Sequence, residues 1–125
     1  MDGEGIETNL YNAISGDQIG VASSAGIDYA AALEYGRTKG GQQLRKMTFQ
    51  ERGRMLKALA LHLMDLKEKY YAVSALTGAT RVDSWIDIEG GIGNLFANAS
   101  LRRQFPDLPY HVDGVAAPLS KGGSF

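Results

Sequence analysis

Three acids cluster in the stretch of the chain that most resembles working chemistry: Asp83, Asp87 and Glu89. Paired carboxylates can divide general-acid and general-base work when their surroundings push their pKa values apart. Asp83 and Asp87 are four residues apart, so a helix would place them on one face. Such a pair needs a cleft to act in, and acids near a helix start are expected from the helix dipole alone. The structural reading of the trio is the stronger one. Gly90-Gly91-Ile92-Gly93 follows directly and is the one glycine cluster that resembles a phosphate loop. Phe96 stands where the last glycine of Gly-x-Gly-x-x-Gly would be, no Lys-Ser/Thr follows, and no strand precedes it. Close approach of another backbone to a helix is the favoured explanation.

His62 and His111 have no ligand or nucleophile partner at motif spacing, and neither His-Glu-x-x-His nor Gly-x-Ser-x-Gly occurs. Trp85, the single tryptophan, is read with Tyr70 and Tyr71 as core rather than as an aromatic cage. The chain has no cysteine, which excludes a disulfide framework, a thiolate metal site and a cysteine nucleophile within these residues. The residues alone supply no catalytic constellation and no metal site.

The elements that would position these groups are mostly helical. Two short apolar runs over 10–21 flank Ser15-Gly16-Asp17 and read as a β-hairpin, with Gly16 free to take a positive φ. A first helix is expected from about Asp28 to Gly40-Gly41. Thr48-Phe49-Gln50-Glu51 is a capping box, followed by Met55, Leu56, Leu59, Ala60 and Leu63 at helical spacing. Leu61 points away from that stripe, beside Arg54 and Lys57. Asp65-Leu66-Lys67-Glu68 reads as a second capping box that restarts the helix at a new angle. The third helix carries Tyr70, Tyr71, Val73 and Leu76 and closes at Thr77-Gly78, with Gly78 at C′. A fourth begins near Asp83 and runs to about Arg103, before Pro106 and Pro109. The last fifteen residues read as coil with one strand.

At 125 residues the chain has room for one domain of ordinary size, and its 44% hydrophobic content is that of a globular protein. Thirteen basic and 14 acidic side chains leave a net charge of −1, which gives no global pull toward nucleic acid or anionic membrane. The charge is unevenly placed. Residues 1–36 carry a net −6, and residues 37–69 carry nine bases against three acids. Those bases follow no single helical face and have few aromatics among them, so they read as a solvated surface or one facing the acidic segment. The acidic start and short apolar runs predict neither an export signal nor a membrane span, and hence a cytoplasmic protein.

The order of motifs is similar to that of a known family. Asn12-Ala13-Ile14-Ser15-Gly16-Asp17 resembles the Asn-Pro-Ala-Thr-Gly-Glu hairpin that opens many aldehyde dehydrogenases, with Ala13 in place of the usual proline. Met47 to Arg52, the long helix and Leu76-Thr77-Gly78-Ala79-Thr80-Arg81 look like that family's N-terminal helical segment. Thr77 to Gly93, and Pro118 to Phe125, are similar to enzymes acting on ring-opened acyl-CoA semialdehydes, including the dehydrogenase part of the phenylacetate-degradation bifunctional protein.

The resemblance implies an α/β parent fold of aldehyde dehydrogenase type. This chain would be its mostly α portion: an N-terminal β-hairpin, about four helices and a C-terminal strand or coil. Residues 1–105 would be the N-terminal helical part of the cofactor domain, and 106–125 an extended segment leading toward the oligomerisation hairpin. The family's cysteine nucleophile, general-base glutamate, oxyanion asparagine and NAD(P)-binding fold follow this stretch. The implied chemistry is thiolate attack on the aldehyde, hydride transfer to NAD or NADP and hydrolysis of the thioester. No residue here is assigned to those steps, and no cofactor is expected to bind this chain alone. The implied partners are the rest of the dehydrogenase polypeptide and, in the intact enzyme, further copies of it, with no nucleic acid or membrane. The same resemblance places Trp85 and Ile88 along the aldehyde entrance tunnel, with ordinary core packing as the competing expectation. The rival from another class is a free-standing helical module that binds a protein partner through the Leu61 face. A weaker one is nucleic-acid binding through residues 37–69.

Overall fold

The computed structural model describes residues 5–114, together with the backbone of 118–120 and 123–124. Asp2 and Glu4 of the acidic run, Lys121, Gly122 and Phe125 of the terminal Pro118–Phe125 motif, and the side chains of that motif lie outside the described residues. The chain opens on an antiparallel pair, β1 (Glu7–Tyr11) and β2 (Gln18–Ser23), with Thr8 opposite Ala22, Leu10 opposite Gly20 and an irregularity at Tyr11. Their connection is an Asx turn. The Asn12 carboxamide oxygen accepts from the Ile14 amide at 2.9 Å, and Gly16 takes φ +77°, as the Ser-Gly-Asp turn predicts. The turn is tied to the helices by the Ala13 amide, which donates to the Leu76 carbonyl at 2.8 Å.

Helix α1 (Tyr29–Tyr35) is capped by Asp28, whose carboxylate accepts from the Ala31 amide. The glycines at 40 and 41 do not stop it. A π-helical turn over Gly36–Gly40 passes directly into α2 (Gly41–Lys46), with every glycine in ordinary right-handed helical geometry. Glycine permits a stop without imposing one; the run ends where Met47 turns extended ahead of the Thr48 cap.

The centre of the molecule is α3 (Phe49–Asp65), α4 (Lys67–Ala75) and α5 (Arg81–Ser100), followed by a 3-10 turn over Leu101–Gln104. Thr48 and Glu51 form the expected capping box. The Asp65–Glu68 box does not form. The helix breaks at Leu66, which caps α4 with no side-chain bond, and Glu68 turns to Arg81 instead. Gly78 takes φ +83°, but one residue later than expected, since α4 closes at Leu76. Helix α5 starts at Arg81 rather than near Asp83. Thr80 is its cap and Asp83 completes the box as the third helical residue.

The face of α3 that meets α5 is Gly53, Leu56, Ala60 and Leu63, while Met55 and Leu59 of the expected stripe remain exposed. Gly53 makes the close approach. A Cβ there would lie 2.6 Å from Arg102 Cδ and 2.9 Å from the Ala99 carbonyl oxygen. The glycine cluster of α5 makes none. At Gly90, Gly91 and Gly93 an added Cβ would meet nothing within 4 Å, so the backbone contact expected there is absent among the described residues. Each helical glycine costs about 1 kcal/mol relative to alanine, here with no packing in return.

Residues after α5 fold back over the start of α3. The rings of Phe49 and Phe105 stack at 4.6 Å, the Phe49 amide donates to the Leu108 carbonyl, and Arg52 donates to the Pro109 carbonyl at 2.7 Å. Beyond that, Pro118–Ser120 and Gly123–Ser124 pair antiparallel as β3 and β4, two strands where one was expected.

The core is small. Ala60, Tyr71, Ile92 and Ala99 are its buried apolar residues.

Candidate functional site

Helix α5 positions both sequence-derived candidates. Trp85 and Ile88 are one turn apart, so their side chains emerge on adjoining sides of the helix. Ile88 is half-buried and walls an apolar groove of about 240 Å³ with Leu63, Tyr70, Gly91, Ile92 and Leu95. Trp85 lies outside that groove and is 56% exposed, so the core reading of the tryptophan is corrected. Its position in the first turn and a half of α5 carries it past the end of the α3 contact. Tyr71 alone of the three aromatics is buried, and Tyr70 is intermediate.

The acids separate into structural roles. Asp83 accepts from the Thr80 hydroxyl at 2.6 Å and from the Thr80 amide at 3.1 Å. Glu89 accepts from the Tyr71 hydroxyl at 2.8 Å and from Lys67 Nζ at 3.1 Å. Arg81 lies over the Tyr71 ring at 3.6 Å and reaches Glu68 at 3.3 Å. This α4–α5 cluster escaped the sequence reading. Its one local signal is the four-residue spacing of Lys67 and Tyr71, which puts a cation and a phenol on one face of α4. Among the described residues, Lys67 is the one base of the 37–69 block with an ion pair, and its partner is Glu89 rather than the acidic segment.

Both carboxyls are held below their ordinary pKa values. For Glu89 the Tyr71 hydrogen bond is the largest cause, followed by that of Lys67. For Asp83 the causes are the Thr80 side chain and then its backbone amide. Burial, followed by donation to Glu89, raises the Tyr71 phenol. Between the lowered and ordinary carboxyl values the unfolded chain binds more protons, so stability rises with pH in that window. The α4–α5 contact is therefore complete above the ordinary carboxylate range and weakens as the pH falls through the lowered values. Glu89→Gln is expected to flatten the acid limb of a helicity titration followed by circular dichroism. An acid limb identical to that of the unsubstituted chain would contradict this role for Glu89.

Beside this cluster, Ala72, Ala75 and Ala79 floor a hollow of about 340 Å³ under Arg81 and Glu68. The Ser74 and Ser84 hydroxyls are 2.8 Å apart, and no histidine or carboxylate hydrogen-bonds either among the described residues. His62 is exposed; His111 meets the Phe105 ring edge-on and lies 3.5 Å from Asp113. None of these groups is an activated nucleophile. The α5 glycines do not fit a dinucleotide either. They lie deep within a continuous helix, where their amides are committed to the i−4 carbonyls, and the caps at Thr48 and Thr80 use their own side chains.

What the geometry supplies is helix-packing surface. The chain is 37% identical over 93 residues to 3,4-dehydroadipyl-CoA semialdehyde dehydrogenase of Aromatoleum evansii. The similarity supports a relationship of the aldehyde dehydrogenase type. The match takes in 74% of this chain and 18% of the length of that relative. No family profile matches the chain. Among the described residues, no helix is long and apolar enough to cross a membrane.

Proposed function

We propose that this chain forms the N-terminal scaffold of an NAD(P)-dependent aldehyde dehydrogenase that oxidises an acyl-CoA semialdehyde in the breakdown of aromatic compounds, and that it is inactive alone. The observation that carries the reading is the 37% identity over 93 residues to an enzyme named for such a substrate. The helix-packing faces of α3, α4 and α5 support a scaffold role. In this reading NAD or NADP is held by the rest of the dehydrogenase polypeptide, the intact enzyme is a cytoplasmic homo-oligomer, and residues 106–125 lead toward its oligomerisation strands. Trp85 and Ile88 would line the aldehyde's route; the uncovered indole and the apolar wall at Ile88 support that placement.

The test is to exchange the matching segment of the Aromatoleum evansii enzyme for this chain. The exchanged enzyme is expected to reduce NAD(P) with the semialdehyde at a rate within about tenfold of its parent, roughly the loss that 1.4 kcal/mol of misfit would cause. A soluble, folded exchange protein with no activity would overturn the reading. Turnover by the 125-residue chain alone would overturn its inactivity.

A further inference from the structure

We infer that residues 105–111 form a strap that opens and closes as one unit over the start of α3, and that Arg52 is the clasp that holds it shut. Such a strap is a moving part of this chain itself and does not depend on the dehydrogenase reading.

Two prolines keep this segment out of both helix and sheet, since Pro106 and Pro109 lack the amide that either ladder needs. Its carbonyls turn to α3 instead. The Phe49 amide donates to the Leu108 carbonyl at 3.0 Å, and the Arg52 guanidinium to the Pro109 carbonyl at 2.7 Å. Gln50 Nε2 donates to the Arg102 carbonyl at 2.7 Å and reaches the Phe105 carbonyl at 3.4 Å, so it holds the 3-10 turn more than the strap. Among the described residues, every hydrogen bond from an α-helix to the strap comes from the first four residues of α3. The Phe105 ring stacks on Phe49 and walls a hollow of about 210 Å³ with Phe49, Arg52, Gly53, Leu56 and Leu101, which the strap uncovers when it leaves.

The strap also has order of its own. The Leu108 amide donates to the Pro106 carbonyl at 2.8 Å, and His111 meets the Phe105 ring edge-on at 5.1 Å. Residues 106–111 are exposed, so little buried apolar surface opposes their release, and segments of this kind open locally at low cost. The α3–α5 contact continues beyond the strap to the buried Ala60 and Ile92 and does not need it. Arg52 joins the strap to the entry of α3. Its Nε donates to the Met47 carbonyl at 3.1 Å, and the guanidinium lies 4.5 Å over the Phe49 ring. One rigid, planar fork thus holds two carbonyls at once, which fixes where the strap lies against the start of the helix.

The experiment is amide hydrogen exchange, resolved by NMR, on the 125-residue chain and on its Arg52→Met and Phe105→Leu variants. Methionine keeps an unbranched stem and good helix propensity but removes both donors. The Phe49 and Leu108 amides report the strap, since each is bonded to a strap carbonyl, while Ala60 and Ile92 report the helix pair. In the unsubstituted chain the two strap amides are expected to show similar protection, at least tenfold below that of Ala60 and Ile92. Arg52→Met is expected to lower both strap amides about tenfold, the loss of one charge-assisted hydrogen bond, with Ala60 and Ile92 unchanged. Phe105→Leu is expected to lower the same two amides together. Unchanged protection of Phe49 and Leu108 in Arg52→Met would overturn the clasp. Separate responses of those two amides, equal losses at Ala60 and Ile92, or no protection of the strap amides in the unsubstituted chain would overturn the strap.

Discussion

Leucine at position 53 is expected to push α3 off α5 and cost that contact about 3 kcal/mol, the upper end of what overpacking costs in a filled site. The physical reason lies in which atoms are in the way. A Cβ alone would come within 2.8 Å of Arg102 Cβ and 2.9 Å of the Ala99 carbonyl oxygen. Arg102 Cδ could swing aside, but the other two belong to, or hang directly from, the backbone. That carbonyl also accepts from the Arg102 guanidinium at 2.8 Å, so displacing it disturbs a bond that holds the 3-10 turn after α5. Replacing a helical glycine returns about 1 kcal/mol of propensity at most, which does not offset the clash. Hydrogen exchange of the α3 and α5 amides measures the loss, because it reports the stability of that contact by itself. Undiminished protection would mean that the two helices do not cross at Gly53.

Ile92→Ala is expected to cost about 2–3 kcal/mol at the same amides, the lower part of the range for truncating a buried aliphatic side chain. Ile92 is the one large aliphatic residue buried on α5. The groove beside it lets neighbours settle partly into the space, which keeps the cost below the maximum. Val82→Ala on the same helix is expected to stay within about 0.5 kcal/mol, since its side chain is mostly in solvent in the isolated chain. Equal losses at the two positions would contradict the assignment of the inward and outward faces of α5.

The contrast between Gly53 and Gly90 explains much of what the sequence conveyed and what it withheld. Signals that act within four residues were legible. The Thr48 box, the Asp28 cap and the Asn12–Asp17 turn all formed where side-chain spacing placed them. Thr80-x-x-Asp83 is the same kind of signal with aspartate in place of glutamate, and reading it as such would have started α5 at the right residue. The Asp65–Glu68 pattern misled because a capping box is satisfied only if the helix ends there, and here α3 and α4 are separated by Leu66 alone. Long-range features were not legible. Gly53 is confined by residues some fifty positions later, and Glu89 finds Tyr71 and Lys67 across a helix junction. Trp85 was misplaced for a related reason. Apolar character implies burial only against something, and the described chain brings nothing to that side of α5.

The central claim is that these residues are a portion of a larger packed structure and not a self-sufficient module. Its most direct test is urea unfolding of the 125-residue chain followed by two probes at once. Trp85 emission reports α5, and far-UV circular dichroism reports all the helices. Residues 29–46 and the β1–β2 hairpin pack little against α3–α5, and a two-stranded hairpin is marginal by itself. The account predicts that helicity begins to fall at lower urea than the Trp85 signal, in broad transitions that do not coincide. A single steep transition, coincident by both probes and with an m-value suited to 125 residues, would contradict it and favour the free-standing module.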